Sequence, residues 1–182
     1  MRKEKNFQSL AIIALSVALV IMAVGYAAYT QTLNINGSAT FTASKWDVHF
    51  NTTTFNETTT IKATSKDVGN TTITYDVTLQ KPGDEYSFTV DAKNFGTIDA
   101  VMQKVTMSGL TAAQKKYITY KVSYNGTEYT ETTSGLNVAL AAGASHTVVV
   151  TVKYELPSNA SELPAEDTTV SLTASFDYVD AA

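Results

Sequence analysis

The chain has 182 residues, 13 Lys+Arg against 17 Asp+Glu, and no cysteine. That length supports one ordinary domain with an appendage, and the missing Cys excludes disulfide scaffolds, zinc ribbons, iron–sulfur sites and thiol enzymes. Charged residues are only 16%, below the roughly 25% usual for soluble domains; Thr runs at 52–54 and 58–60 fill the gap and lean the composition toward pleated, all-β structure.

The first thirty residues differ from the rest. Arg2, Lys3 and Lys5 precede an apolar run over 10–24, and Gly25-Tyr26-Ala27 follows as a small-x-small peptidase site. This is the layout of a secretory signal, with cleavage by signal peptidase expected between Ala27 and Ala28. The alternative is an uncleaved membrane helix over 10–29, since about 20 apolar residues span a bilayer of about 30 Å. Losing residues 1–27 removes three basic residues and Glu4, so the formal charge moves from −4 to −6. Arg2 is the only arginine. An acidic, arginine-free body lacks the bidentate phosphate and guanine ligands that nucleic-acid binding uses. It also lacks the basic patch that anionic lipid attracts, so membrane contact is expected only through the N-terminal helix before cleavage.

From Ala28 the hydrophobic period is 2. Tyr29, Gln31, Leu33 and Ile35 share one parity, with Thr30, Thr32, Asn34 and Asn36 on the other. Gly37 and Ser38 follow as a flexible joint. Trp46, Val48 and Phe50 alternate with Asp47 and His49. Ile73, Tyr75, Val77 and Leu79 mark the clearest half-buried strand, ended by the turn Lys81-Pro82-Gly83-Asp84. Tyr86, Phe88 and Val90 continue until Asn94-Phe95-Gly96 turns the chain, and residues 100–107 make a further strand. Thr111 three residues before Gln114 suits a capping box on one helical turn. Tyr120, Val122 and Tyr124 lead into Asn125-Gly126, a strong hairpin signal, with residues 128–132 returning antiparallel. A turn at 141–144, a strand over 146–154, a loop over 157–164 and a last strand carrying Val170, Leu172, Ala174, Phe176 and Tyr178 complete the chain. About nine strands, each with one polar face, predict an all-β fold: an antiparallel two-sheet sandwich with one short helical turn and an N-terminal signal helix.

Catalytic and metal chemistry is not legible. His49 and His146 fall on different strands without a neighbour at ligand spacing, and neither H-E-x-x-H nor G-x-S-x-G occurs. The acidic pairs Asp84-Glu85 and Glu166-Asp167 lie in loops and read as solvated turn residues; only converging loops would make them a calcium site. No catalytic residue, cofactor or metal is therefore expected. Asn-x-Ser/Thr triplets at Asn36, Asn51, Asn56, Asn70, Asn125 and Asn159 read as surface positions.

The junction Gly25-Tyr26-Ala27-Ala28-Tyr29-Thr30 runs into 33–41, then Lys45-Trp46-Asp47-Val48, Leu79-Gln80-Lys81-Pro82-Gly83-Asp84 and Lys93-Asn94-Phe95-Gly96-Thr97. Together these resemble the TasA/camelysin family of exported bacterial proteins, over the signal junction and most of the first half; the second half matches in strand pattern alone. The resemblance implies a jelly-roll sandwich, a leader cut by a dedicated (SipW-type) signal peptidase, and polymerisation into biofilm-matrix fibres. It implies that the mature N-terminal segment inserts as a strand into the next subunit; an accessory anchor subunit is a further partner that the sequence leaves open. The metal-peptidase activity attached to some camelysins finds no ligand motif here.

Residues 28–37 suit a donor strand physically. A sandwich lacking one strand exposes apolar surface and unpaired backbone, and an incoming strand satisfies both. Burying Tyr29, Leu33 and Ile35 contributes about 5–8 kcal/mol before ordering costs. The same segment also reads as an edge strand of its own domain over 38–182. The expected function is a secreted, self-associating head-to-tail fibre subunit, with a monomeric membrane-anchored adhesion module as the alternative. A secreted hydrolase is the third and weakest reading.

Overall fold

The computed structural model describes residues 2–29, 36–166 and 168–181; within the first helix the side chains described are those of residues 7–23. The chain divides into two compact units, Met1–Thr42 and Ala43–Ala182. The first contains α1 (Arg2–Tyr29), a run of good helix formers without Pro and with no Gly before Gly25. All its described side chains are exposed. Among the described residues no helix is long and apolar enough to cross a membrane.

The second unit is built from β1 (Val48–Glu57), β2 (Ser65–Val68), β3 (Ile73–Asp76), β4 (Glu85–Asn94), β5 (Ala100–Ser108), β6 (Ile118–Tyr124), β7 (Thr127–Tyr129), β8 (Thr133–Leu140), β9 (Ser145–Tyr154) and β10 (Thr173–Asp180). They form a five-stranded sheet, β1-β4-β9-β6-β7, a three-stranded sheet, β10-β5-β8, and a β2-β3 ribbon. Every pairing is antiparallel. From β4 onward the chain alternates between the two main sheets, apart from the β6-β7 hairpin, in the manner of a jelly roll. The antiparallel sandwich expected from the alternation is what the chain forms.

The core follows the parity of the sequence. Tyr86, Phe88 and Val90 of β4, Val122 and Tyr124 of β6, and Val148, Val150 and Val152 of β9 are buried against Met102 and Val105 of β5. The hairpin at Asn125-Gly126 has both residues at positive φ, 49° and 82°, which is the turn whose twist matches antiparallel strands. The capping box also forms: Thr111 Oγ1 accepts from Gln114 N at 3.3 Å, and Gln114 Oε1 accepts from Thr111 N at 2.9 Å. It opens the 3₁₀ turn Gln114–Lys116.

Several expectations need correction. The strand expected through Leu79 is hydrogen-bonded only as β3, against β2. Its alternation of half-buried and exposed side chains nevertheless runs on to Gln80. The ladder stops where its partner is drawn away: the Ala63 amide donates to Glu57 Oε1 at 2.8 Å, while Lys66, still in the ladder opposite Tyr75, pairs with Glu57 Oε2. The Lys66 bond, then the Ala63 amide, holds the Glu57 carboxyl below its ordinary range. Trp46 lies outside β1 and is exposed, and Val170 and Leu172 precede β10. The return strand at 128–132 is only β7, three residues long. The expected loop over 157–164 contains a second 3₁₀ turn, Ala160–Glu162. β8 was not expected at all. Gly135, at φ 74°, lies where the β5–β8 register shifts, and this bulge hides the inward set Leu136, Val138 and Leu140.

The turn at Asn94-Phe95-Gly96 is a buried polar corner. Asn94 Nδ2 donates to the carbonyls of Ile98 at 2.8 Å and Leu140 at 3.1 Å, and Oδ1 accepts from Gly96 N at 2.9 Å. The backbone of Asn94 is also paired, donating to Ala144 O and accepting from Gly143 N. Across the corner, Phe95 N donates to Asp47 O and Thr97 N to Lys45 O, which lashes the approach to β1 onto the turn.

One core hydroxyl, on Tyr75, is buried without a hydrogen-bond partner among the described residues. Burial pushes the Tyr75 phenol up to about 12. An unmade bond in the core costs more than a missing hydroxyl. Tyr75→Phe is therefore expected to raise stability by up to about 1 kcal/mol, read as a higher urea midpoint; a lower midpoint means the hydroxyl has a partner.

Candidate functional site: an apolar cleft between two edge strands

The sandwich is not equally closed on all sides. β1 ends the five-stranded sheet and β10 ends the three-stranded sheet, so among the described residues each has one ladder neighbour. Val48 and Phe50 of β1, Ala92 of β4, and Ala174, Phe176 and Tyr178 of β10 line a cleft of about 230 Å³ between them. Phe50 and Phe176 meet edge-on across it with ring centroids 6.5 Å apart. Beneath, Tyr124 lies 5.4 Å from the Phe176 ring. Inward side chains of central β9 are nearly sealed (Val148 is 1% exposed), whereas those of β10 are half-buried.

Sequence explains the opening locally. β10 alternates Ala174, Phe176 and Tyr178 with Ser175 and Asp177, and the small Ala174 leaves volume where a large residue would fill the seam. One wall is formed by the tip of the β2-β3 ribbon, where Asn70 O accepts the outward N–H of Phe50 at 2.7 Å. Asn70 and Thr71 of the ribbon, His49 of β1 and Ser175 of β10 also border the cleft, so its apolar floor has a polar rim. At about 230 Å³ the space is below the roughly 300–1,000 Å³ of small-molecule sites, yet it can take a few apolar side chains of an extended segment. A sheet edge beside an apolar seam suits strand addition, although the Phe50 N–H of the β1 edge is already taken by the ribbon.

The titratable candidates do not assemble into a reactive site. His49 on β1 stacks on Phe95 at 4.2 Å, with Nε2 3.5 Å from Asp47 Oδ1. His146 on β9 meets Tyr124 Oη at 3.1 Å, and burial lowers its pKa. Asp84 caps its own turn, accepting from the amides of Gln80 at 2.8 Å and Lys81 at 3.1 Å. Glu85 opens β4, Glu166 lies in the loop before β10, and Asp167 is outside the described residues. No group of three or more His, Asp or Glu side chains is placed to hold a metal among the described residues.

Of the residues assigned to the polymerisation strand, Tyr29 is the last residue of α1, while Gln31, Leu33 and Ile35 lie outside the described residues. Ala27 and Ala28 are on α1. Gly37 and Ser38 are exposed and irregular, and nothing lies within 4 Å of a Cβ built at Gly37. Sequence reasoning named a donor but no acceptor. The period-2 pattern of Ala174, Phe176 and Tyr178 marks an inward face, but it carries no sign that β10 has only one neighbour. No protein-family model matches the chain, and no curated protein matches it.

Proposed function

We infer that this protein is a secreted structural subunit that polymerises head-to-tail into extracellular, biofilm-matrix fibres. In this reading the N-terminal segment 28–37 of one subunit is inserted into the β1–β10 cleft of the next. The observation that carries it is the cleft itself, about 230 Å³ in volume, floored by apolar side chains and lying between two strands that, among the described residues, each have a ladder neighbour on one side only. Further support comes from the alternating Tyr29, Leu33 and Ile35, the Gly37-Ser38 joint, and the likeness of the junction and turns to the TasA/camelysin pattern. The contact joins unlike surfaces and does not close on itself, so it builds a filament. The leader residues 1–27 keep the donor strand unavailable until signal peptidase releases it.

Removing residues 28–36 from the processed chain is expected to leave soluble monomers under conditions where the intact processed chain forms filaments. Electron microscopy after incubation reads the result. Filaments persisting in the truncated protein would overturn the proposal.

A further inference from the structure

One polar thread joins the two sheets through the core. Tyr178 of β10 donates its hydroxyl to Tyr124 Oη of β6 at 3.0 Å, and Tyr124 Oη lies 3.1 Å from His146 Nδ1 of β9. Tyr124 is 1% exposed, and the His146 and Tyr124 rings meet edge-on, with centroids 5.3 Å apart. Since Tyr124 accepts from Tyr178, its own proton goes to Nδ1. The network thus assigns His146 as the neutral imidazole protonated on Nε2.

We propose that this thread is an acid-released latch, in which protonation of His146 loosens β10 from the five-stranded sheet. An imidazolium carries a proton on Nδ1 and turns that atom from acceptor to donor. Tyr124 Oη then faces donors on both sides, and its own buried proton loses its acceptor. The thread can reverse only if Tyr178 turns its proton out of the core. β6 and β9 cannot yield easily, because they share a ladder from Ile118↔Tyr154 to Tyr124↔Val148. Among the described residues β10 shares no ladder with that sheet, so the loss falls on it.

The groups facing His146 leave burial as the governing influence. β6 contributes Tyr124, and β10 contributes Tyr178 through it. β4 places Ala92 opposite, with Asp91 and Lys93 pointing to the other face of the strand; Asp91 accepts from Thr147 Oγ1 at 2.9 Å. Near the turn into β9, Asp99 accepts from Ala142 N, and Asp180 ends β10. Burial alone lowers the His146 pKa. Because the folded value lies below the unfolded one, the stabilisation is complete above the ordinary histidine range and is lost as pH falls through the folded value. The inference does not depend on what fills the cleft.

The test follows both imidazoles of the full chain by NMR and amide exchange of residues 173–180 at about pH 7.5 and pH 5, corrected for intrinsic rate. His146 should titrate below the ordinary histidine value, and Tyr124→Phe should raise it. Protection of 173–180 should fall about tenfold at the lower pH, in the unsubstituted chain and in His49→Gln but not in His146→Gln. Equal protection at both pH values, a fall that survives His146→Gln, or an ordinary His146 titration overturns the latch. The unsubstituted chain alone decides the first and third outcomes, whatever the variants do to folding.

Discussion

Asn94→Leu should lower unfolding free energy by about 2–4 kcal/mol, although the two side chains are close in size. Asn94 is fully buried, and its amide serves three backbone groups at once: the carbonyls of Ile98 and Leu140 and the N–H of Gly96. Leucine removes all three partners, and the Leu140 bond lies in a buried setting where water does not replace it. Each abandoned buried group costs about 1–3 kcal/mol, which dominates over any gain from burying a more apolar side chain. The neighbouring Gly96 is held for a steric reason. A Cβ there would stand 2.3 Å from Lys45 O and 2.9 Å from Asp47 N, both backbone atoms of the lashed segment. Gly96→Val should therefore cost at least as much as Asn94→Leu, by detaching residues 45–47 from the turn. Urea midpoints at constant slope measure both; an Asn94→Leu midpoint within about 0.5 kcal/mol of the parent would show that the corner contributes little.

On the proposed donor-strand function, filling the cleft should abolish filaments without unfolding the sandwich. Ala174→Trp places an indole in a space of about 230 Å³ that Ala174 itself helps to leave open. The expected result is a monomer with an unfolding free energy within about 1 kcal/mol of the parent and no filaments. That variant keeps its N-terminal strand, while the chain lacking 28–36 keeps its cleft. Each alone should remain monomeric, and an equimolar mixture should give a heterodimer and nothing longer, because a head-to-tail contact uses one donor and one acceptor. Analytical ultracentrifugation separates these species. Long polymers from the mixture, or filaments from Ala174→Trp alone, would place the contact elsewhere.

How much of this was readable beforehand depends on the range of the interaction concerned. The faces of β4, β6 and β9 were legible because a period of 2 is written in consecutive residues and survives folding. The Asn125-Gly126 hairpin and the Thr111–Gln114 box were legible because their partners lie within a few residues. β8 was hidden by the bulge at Gly135, and the length of β3 by Glu57, whose carboxylate takes the Ala63 amide just beyond the ladder. The Asn94 corner was visible as a turn only. Nothing local says that its amide reaches Leu140, 46 residues on.

By itself the sequence determined an antiparallel all-β body, most of its inward side chains, its turns, and an apolar N-terminal segment, since these follow from local sterics and short-range periodicity. Tertiary structure alone decided which strands are neighbours, and hence that β1 and β10 border an open seam and that His146, Tyr124 and Tyr178 form one thread. Strand order is set by contacts between residues far apart in the chain, whose energies no single segment encodes.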